Sequence, residues 1–243
     1  MSSAATEVRY STGVNNIGEA KNFNWEYPVP VNSFWNDIDF NTARSFFLAF
    51  SNEEIEKLPS QLDQEGSLGQ KEKLELLLKI LRSKLETEDQ VNAPKTFYNV
   101  NYKAWIKVWL GIAGLQSALH DPEVEETLRM LINKREDKED MSQVHGLAGV
   151  LFDKGKYTEV EELEPRAIEW LDKKLGKSSP QAISARQLLA EAIWKQDTSR
   201  KEESIKLFSE IDGHIAEMSG TKYEVYQKEQ RDILNQAQAE LEG

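Results

Sequence analysis

Three histidines are the side chains best suited to move a proton near neutral pH, and they fall in separate segments: His120, His145 and His214. A histidine metal cage or a Ser-His-Asp arrangement therefore needs the fold to bring distant residues together. His120 stands beside Asp121-Pro122, a helix start, and reads as a structural turn position. His214 falls on the polar side of a helical stripe and reads as solvated, which leaves His145 as the histidine of interest. Asp37-x-Asp39-x-Asn41 opens like a calcium loop, but Thr42 stands where that loop needs glycine and Leu48 where it needs a bidentate glutamate. The segment reads better as a helix-capping loop. With no cysteine in the chain, disulfides, thiolate zinc sites, iron-sulfur clusters and cysteine nucleophiles are excluded. Gly-x-Gly-x-x-Gly, the P-loop, His-Glu-x-x-His and the serine nucleophile elbow are all missing. No catalytic residue, metal or cofactor is assigned, and the want of a motif weighs against an enzyme.

Charge narrows the partners. Lys plus Arg number 30 against 42 for Asp plus Glu, a formal net charge of -12, which repels a phosphate backbone and argues against nucleic acid. Runs such as Lys134-Arg135-Glu136-Asp137-Lys138-Glu139-Asp140 mix both signs, as solvated linkers do. The longest nearly apolar run, Val108 to Leu115, is far short of the roughly 20 residues that cross a bilayer, so no membrane partner is expected. The first ten residues lack the basic and apolar regions of a secretion signal. Together with the missing cysteines, this predicts a cytoplasmic protein.

The elements that must position any site are helices. Val144, Leu147, Ala148 and Leu151 form one stripe, and Val160, Leu163, Ala167 and Leu171 a second. Ala185, Leu188, Leu189, Ala192 and Ile193 follow, then Ile205, Phe208, Ile211, Ile215 and Met218, and last Tyr226, Ile233, Leu234, Ala237 and Leu241. Helix starts are predicted as capping boxes at Thr158/Glu161, Ser199/Glu202 and Thr221/Glu224, and at Ser179 before Pro180. Short turns such as Lys154-Gly155-Lys156 force successive helices antiparallel. The hairpins repeat: Leu147-Ala148 recurs 42 residues later as Leu189-Ala190, with Phe152 answered by Trp194. Leu163 recurs as Leu207 and Gly176 as Gly220, both 44 residues on, which implies a two-residue insertion in the second turn.

Leu147-Ala148, Gly155-Lys156-Tyr157, Glu159-Val160-Glu161-Glu162-Leu163, Arg166-Ala167-Ile168 and Leu175-Gly176 through Pro180 stand at the distances of one known pattern. The stretch resembles the tetratricopeptide repeat of kinesin light chains, with Val160 where that family usually has alanine. The resemblance covers residues 141 to 243, two repeats and a closing helix. It implies an all-α fold, a right-handed α-α superhelix with a helical N-terminal cap. Two repeats rarely stand alone, and Trp105, Val108, Trp109, Ile112, Leu115 and Leu119, followed by Val124, Leu128 and Leu131, read as a degenerate repeat that covers them.

Three regions result: an extended or partly disordered arm over 1–38, a helical cap over 39–100 and the repeat region over 101–243. In the cap, Ser51/Glu54 form a capping box and Leu74, Leu77, Leu78, Leu81 and Leu85 the strongest stripe; Gln61 to Gln70 is a turn. The arm carries Phe23, Trp25, Tyr27, Phe34 and Trp35 around Pro28 and Pro30, a spacing that favours extended chain. It serves either as a lid over the concave surface or as a packed cap.

In the family resembled, five positions of each first helix line the groove. Carried onto this chain they are Ser142, His145, Gly149, Phe152 and Asp153, then Ser184, Gln187, Glu191, Trp194 and Lys195. The resemblance thus implies a scaffold that binds a peptide or helix of a protein partner, with Phe152 and Trp194 as anchors and the polar residues as selectors. Either aromatic can instead pack between helices. Lys195 is the only basic residue at these positions, too few for a carboxylate clamp. The alternative is a cavity for an apolar small molecule, with His145, Asp153 and Glu191 as acid or base and Trp35, Trp109, Phe152 and Trp194 as walls.

Overall fold

The computed structural model describes residues 34, 35, 38, 40–55, 57, 58, 62 and 68–242, and all their regular structure is helical, without a strand. None of these helices is long and apolar enough to cross a membrane. Most of the predicted arm and the Asp37/Asp39 loop lie outside the described residues. Packing divides the chain into two units, 1–127 and 128–243.

The first unit contains α1 (Phe40–Leu48), α2 (Asn52–Ile55), α3 (Gln70–Asn92), α4 (Phe97–Val100), α5 (Tyr102–Ala118) and the start of α6 (Val124–Lys134). The Ser51/Glu54 box forms, with the Glu54 N–H donating to Ser51 Oγ and the Ser51 N–H to Glu54 Oε2 at 2.7 Å. Leu74, Leu77, Leu78 and Leu81 of α3 are buried as their spacing predicts. Of the aromatics of the predicted arm, Phe34 and Trp35 are among the described residues. Both are buried, with the Trp35 ring 4.6 Å from Phe47 and 5.0 Å from Phe34, so these two residues belong to the core. Each such aromatic contributes about 1.5–3 kcal/mol through burial.

Helix α5, grouped by sequence with the repeats, packs against α1, α3 and α4. Gly111 permits that approach: a Cβ there would lie 2.8 Å from Leu81 Cδ1 and 3.2 Å from the Ser45 carbonyl oxygen. The helix starts at Asn101, whose Oδ1 accepts the Ala104 N–H at 3.1 Å. It ends at His120, which takes φ +52° while the Asp121 N–H donates to the Gln116 carbonyl at 2.8 Å.

The second unit continues α6 and adds α7 (Ser142–Asp153), α8 (Tyr157–Leu175), α9 (Pro180–Gln196), α10 (Lys201–Ala216) and α11 (Gln227–Glu242). Each of α7 to α11 packs on the next, and α9 also touches both α7 and α11. Gly155, at φ +71°, closes α7 through Lys156 N–H to Leu151 O and Gly155 N–H to Phe152 O, both 2.9 Å. Gly176 and Gly220, paired by the repeat, both have positive φ as well. Helix α9 lies between neighbours on several sides. Its buried alanines 182, 185, 190 and 192 let those helices come close, and burial of Ala182, Ile183 and Ala190 extends its covered surface beyond the predicted stripe.

The capping predictions divide. Ser179 Oγ accepts the Ala182 N–H at 3.2 Å as expected. Thr158/Glu161 does not form, because α8 begins at Tyr157 and Glu161 is taken by Arg200 at 2.7 Å. At Ser199 a 3-10 turn intervenes and Asp197 Oδ1 accepts the Ser199 N–H at 2.8 Å. At Thr221 the hydroxyl accepts from Tyr223 rather than from the third amide, and α11 starts only at Gln227.

Candidate functional site

A groove of about 350 Å³ runs across α7, α9 and α11 of the second unit. Helix α7 lends His145, Gly146 and Gly149, helix α9 lends Ser184, Gln187, Leu188 and Glu191, and helix α11 lends Gln230 and Ile233. On α7 positions 145 and 146 lie one turn before 149, and on α9 positions 184, 187, 188 and 191 fall on successive turns, so each helix presents one face to the groove. Gly149 leaves the groove open, since a Cβ there would meet nothing within 4 Å.

His145 is the most constrained polar group in the groove. Its Nδ1 lies 2.7 Å from Glu164 Oε1, and the Glu164 side chain, on α8, has no solvent exposure. The other carboxylate oxygen, Oε2, is buried with no hydrogen-bond partner among the described residues. Burial pushes the Glu164 carboxyl above the usual carboxylate range, and the hydrogen bond and charge of His145 only partly offset this. With Nδ1 committed to the carboxylate, Nε2 is the ring nitrogen available to a ligand.

Glu191 is the second polar feature. Its Oε1 accepts from Gln187 Nε2 at 2.9 Å. Burial raises its carboxyl above the ordinary value, the Gln187 bond and Lys195 oppose that, and the charge of Glu240 adds to it. The groove thus combines an imidazole backed by a buried carboxylate, a second carboxyl that holds its proton more tightly than usual, amides, a hydroxyl and two aliphatic side chains. Such a set can orient a bound segment by hydrogen bonds, and it can also transfer a proton.

Of the residues singled out from sequence, His145, Gly149, Ser184, Gln187 and Glu191 come together here, while Phe152, Asp153, Trp194 and Lys195 do not line the groove. Phe152 is half-buried against Tyr157, ring centroids 5.3 Å apart, with the Lys195 ammonium 5.2 Å from its ring. Trp194 is half-buried beneath Lys201 at 4.6 Å. Asp153 is the exposed last residue of α7, and Ser142, at its first turn, accepts from Gln143 Nε2. Trp109 sits in the first unit beside Trp105, ring centroids 6.1 Å apart, and Trp35 is core, so Trp35 is not free to wall a cavity.

Sequence reasoning missed Glu164, Gly146, Leu188, Gln230 and Ile233. A signal for Glu164 and Gln230 was present. Val160, Glu164, Ala167 and Leu171 share a spacing of four, three and four with Gln230, Leu234, Ala237 and Leu241, which places both polar residues on buried stripes.

No known protein family matches this chain, and neither does any curated protein or solved structure.

Proposed function

We propose that the second unit is a tetratricopeptide-type interaction module, a right-handed helical superhelix that holds a peptide or helix of a protein partner in the groove across α7, α9 and α11. The observation that carries this reading is the origin of the lining: it comes from alternate helices of a consecutively packed series, the arrangement a concave recognition face requires. The buried Ala148 and Ala190 at equivalent positions and the positive φ of Gly155 support the repeat assignment. Ile233, 40% exposed at the groove, offers apolar area, and His145, Gln187, Glu191 and Gln230 offer orientation.

Gly149→Trp tests this. The open space around a Cβ at 149 lets the indole enter the groove without a clash in the core, and replacing a mid-helix glycine favours the folded helix. Proteins captured by the parent should be lost by the variant while its melting midpoint holds or rises. Equal capture by both sinks the groove assignment.

A second reading has one observation behind it: His145, backed by the buried Glu164, and Glu191 line the same groove, and both carboxyls are shifted upward. That pairing suits general acid–base chemistry on a small molecule. A thermal-shift screen of metabolites separates the two. Stabilisation by an apolar metabolite, lost in His145→Ala, with no protein captured from lysate, favours the enzyme or binding protein over the scaffold.

A further inference from the structure

The first unit holds a larger cavity, about 530 Å³, between the end of α1, α2, the second half of α3, α4 and the start of α5. Its volume falls in the range of small-molecule sites, and like the groove it is open to solvent on one side. Lys84 is its interior cation, with a side chain only 11% exposed. It is paired with Glu54 and with Glu88, and its ammonium lies 5.1 Å from the centroid of the Phe50 ring. Both carboxylates of the lining are therefore already bound to a lysine. Lys103 and Lys107, one turn apart on α5, line the same cavity without a carboxylate partner among the described residues. The lining carries more ammonium groups than carboxylates, in a chain whose formal charge is -12. Beside the two lysines the lining mixes Ser51, Asn92 and Asn101 with apolar side chains, among them Leu48, Phe50, the buried Phe97 and Val100, which is 50% exposed.

We propose that this cavity binds an amphipathic organic anion, with its carboxylate or phosphate head between Lys103 and Lys107 and its apolar part along Val100, Phe97 and Phe50. Lysine suits either head, because it acts as a point charge with freely turning donors rather than as a planar fork. The aliphatic and aromatic wall rewards a ligand that also carries apolar surface. The proposal is independent of the groove in the second unit.

Isothermal titration of the full chain with octanoate, octyl phosphate and octyltrimethylammonium tests it, since the three probes share a tail and differ in the head. At least one of the two anions should bind and raise the melting midpoint, the better of them naming the head group, while the cation should do neither. Lys103→Gln/Lys107→Gln, a surface change on good helix formers, should weaken the anion by at least about tenfold, close to 1.4 kcal/mol. Gly149→Trp should leave anion binding unchanged. Failure of both anions, binding of the cation as tight as theirs, unaltered affinity in the double variant or loss in Gly149→Trp would each overturn the assignment.

Discussion

His145 Nδ1 stands 2.7 Å from an oxygen of Glu164, a carboxylate with no solvent exposure and with its second oxygen unpartnered among the described residues. Burial is the largest influence on that acid and raises its pKa in the folded protein. Between the ordinary glutamate value and the raised folded one, the folded state holds a proton that the unfolded state has released. The contribution to stability is therefore fully present below the unfolded pKa and is lost as pH rises through the folded pKa. Glu164→Gln removes this titration and leaves an amide able to meet the imidazole. Its stability relative to the parent should thus improve as pH rises above the ordinary glutamate value and level off once the raised folded pKa is passed. Urea midpoints of the two proteins at stepped pH measure this, and parallel curves would show that Glu164 does not titrate as its burial demands.

Gly155 and His120 predict opposite signs. Both close a helix with positive φ, at +71° and +52°. Gly155→Val forces a β-branched residue into that conformation and should cost roughly 1–2 kcal/mol. His120→Gly relieves the same strain, less the extra chain entropy of glycine, and should gain about 0.5–1 kcal/mol. His120 is exposed, so the change removes no packing. Chemical denaturation of both variants should move the midpoints in opposite directions; a His120→Gly protein weaker than the parent would mean its ring has a role in folding.

How much was legible follows from how hydrophobicity reports on burial. Helix type, the Gly155 turn and the face of α7 were readable, because apolar and glycine residues there obey the period and the turn chemistry. Most other core faces were readable too, including Val160, Ala167 and Leu171 of α8 and Phe208, Ile211 and Ile215 of α10, and the misreadings fall at single positions. Leu163 and Ile205 looked like core, yet Glu164 and Ser204 are the buried neighbours and Ile205 is 54% exposed. Buried polar residues are uncommon and were passed over in favour of an adjacent aliphatic. The groove suffered likewise: α11 contributes Gln230 and Ile233 from a helix that was read only as a closing cap. Phe152 and Trp194 were implied as anchors by the resemblance, with packing between helices as the alternative, and where each ring rests depends on tertiary contacts to Tyr157, Lys195 and Lys201.

That displacement makes a direct prediction. Ser204 Oγ donates to the Ala190 carbonyl at 2.7 Å and is fully buried, tying α10 to α9. Ser204→Ala should lose about 1 kcal/mol, the net worth of a buried hydrogen bond. Ile205→Lys should stay within about 0.5 kcal/mol of the parent, as an exposed site does. If the lysine proved the more damaging change by thermal denaturation, the core face of α10 would lie at Ile205 after all.

Gly111 offers a test in the first unit. A Cβ would press on Leu81 Cδ1 at 2.8 Å and on the Ser45 carbonyl oxygen at 3.2 Å. The leucine tip can turn aside, but the backbone of α1 must shift. Gly111→Ala should therefore cost about 1–3 kcal/mol despite the better helix propensity of alanine. Adding Leu81→Val should recover only part of the penalty relative to Leu81→Val alone, because the carbonyl contact remains. Full recovery in that double-mutant cycle would assign the whole clash to the side chain.

Arg186 and Asp172 hold α9 to α8, and their arrangement predicts strong non-additivity. Arg186 is 7% exposed, and its guanidinium lies 2.6 Å from Asp172 Oδ2 and also donates to the Ala182 carbonyl at 3.1 Å. A buried pair of this kind gains its attraction only by repaying the desolvation of both ions, so the net worth of the pair is small while the cost of breaking it is large. Asp172→Ala strands the arginine charge and should lose about 3–5 kcal/mol. Arg186→Leu with Asp172→Leu removes both charges and fills similar volume, so it should fall much closer to the parent than either single change does. Urea denaturation of the full cycle decides this: additive losses would mean that solvent, rather than Asp172, satisfies Arg186. A strong coupling would mark this ion pair as the clamp that fixes the rotation of α9, and with it the facing of Gln187, the next residue, toward the groove.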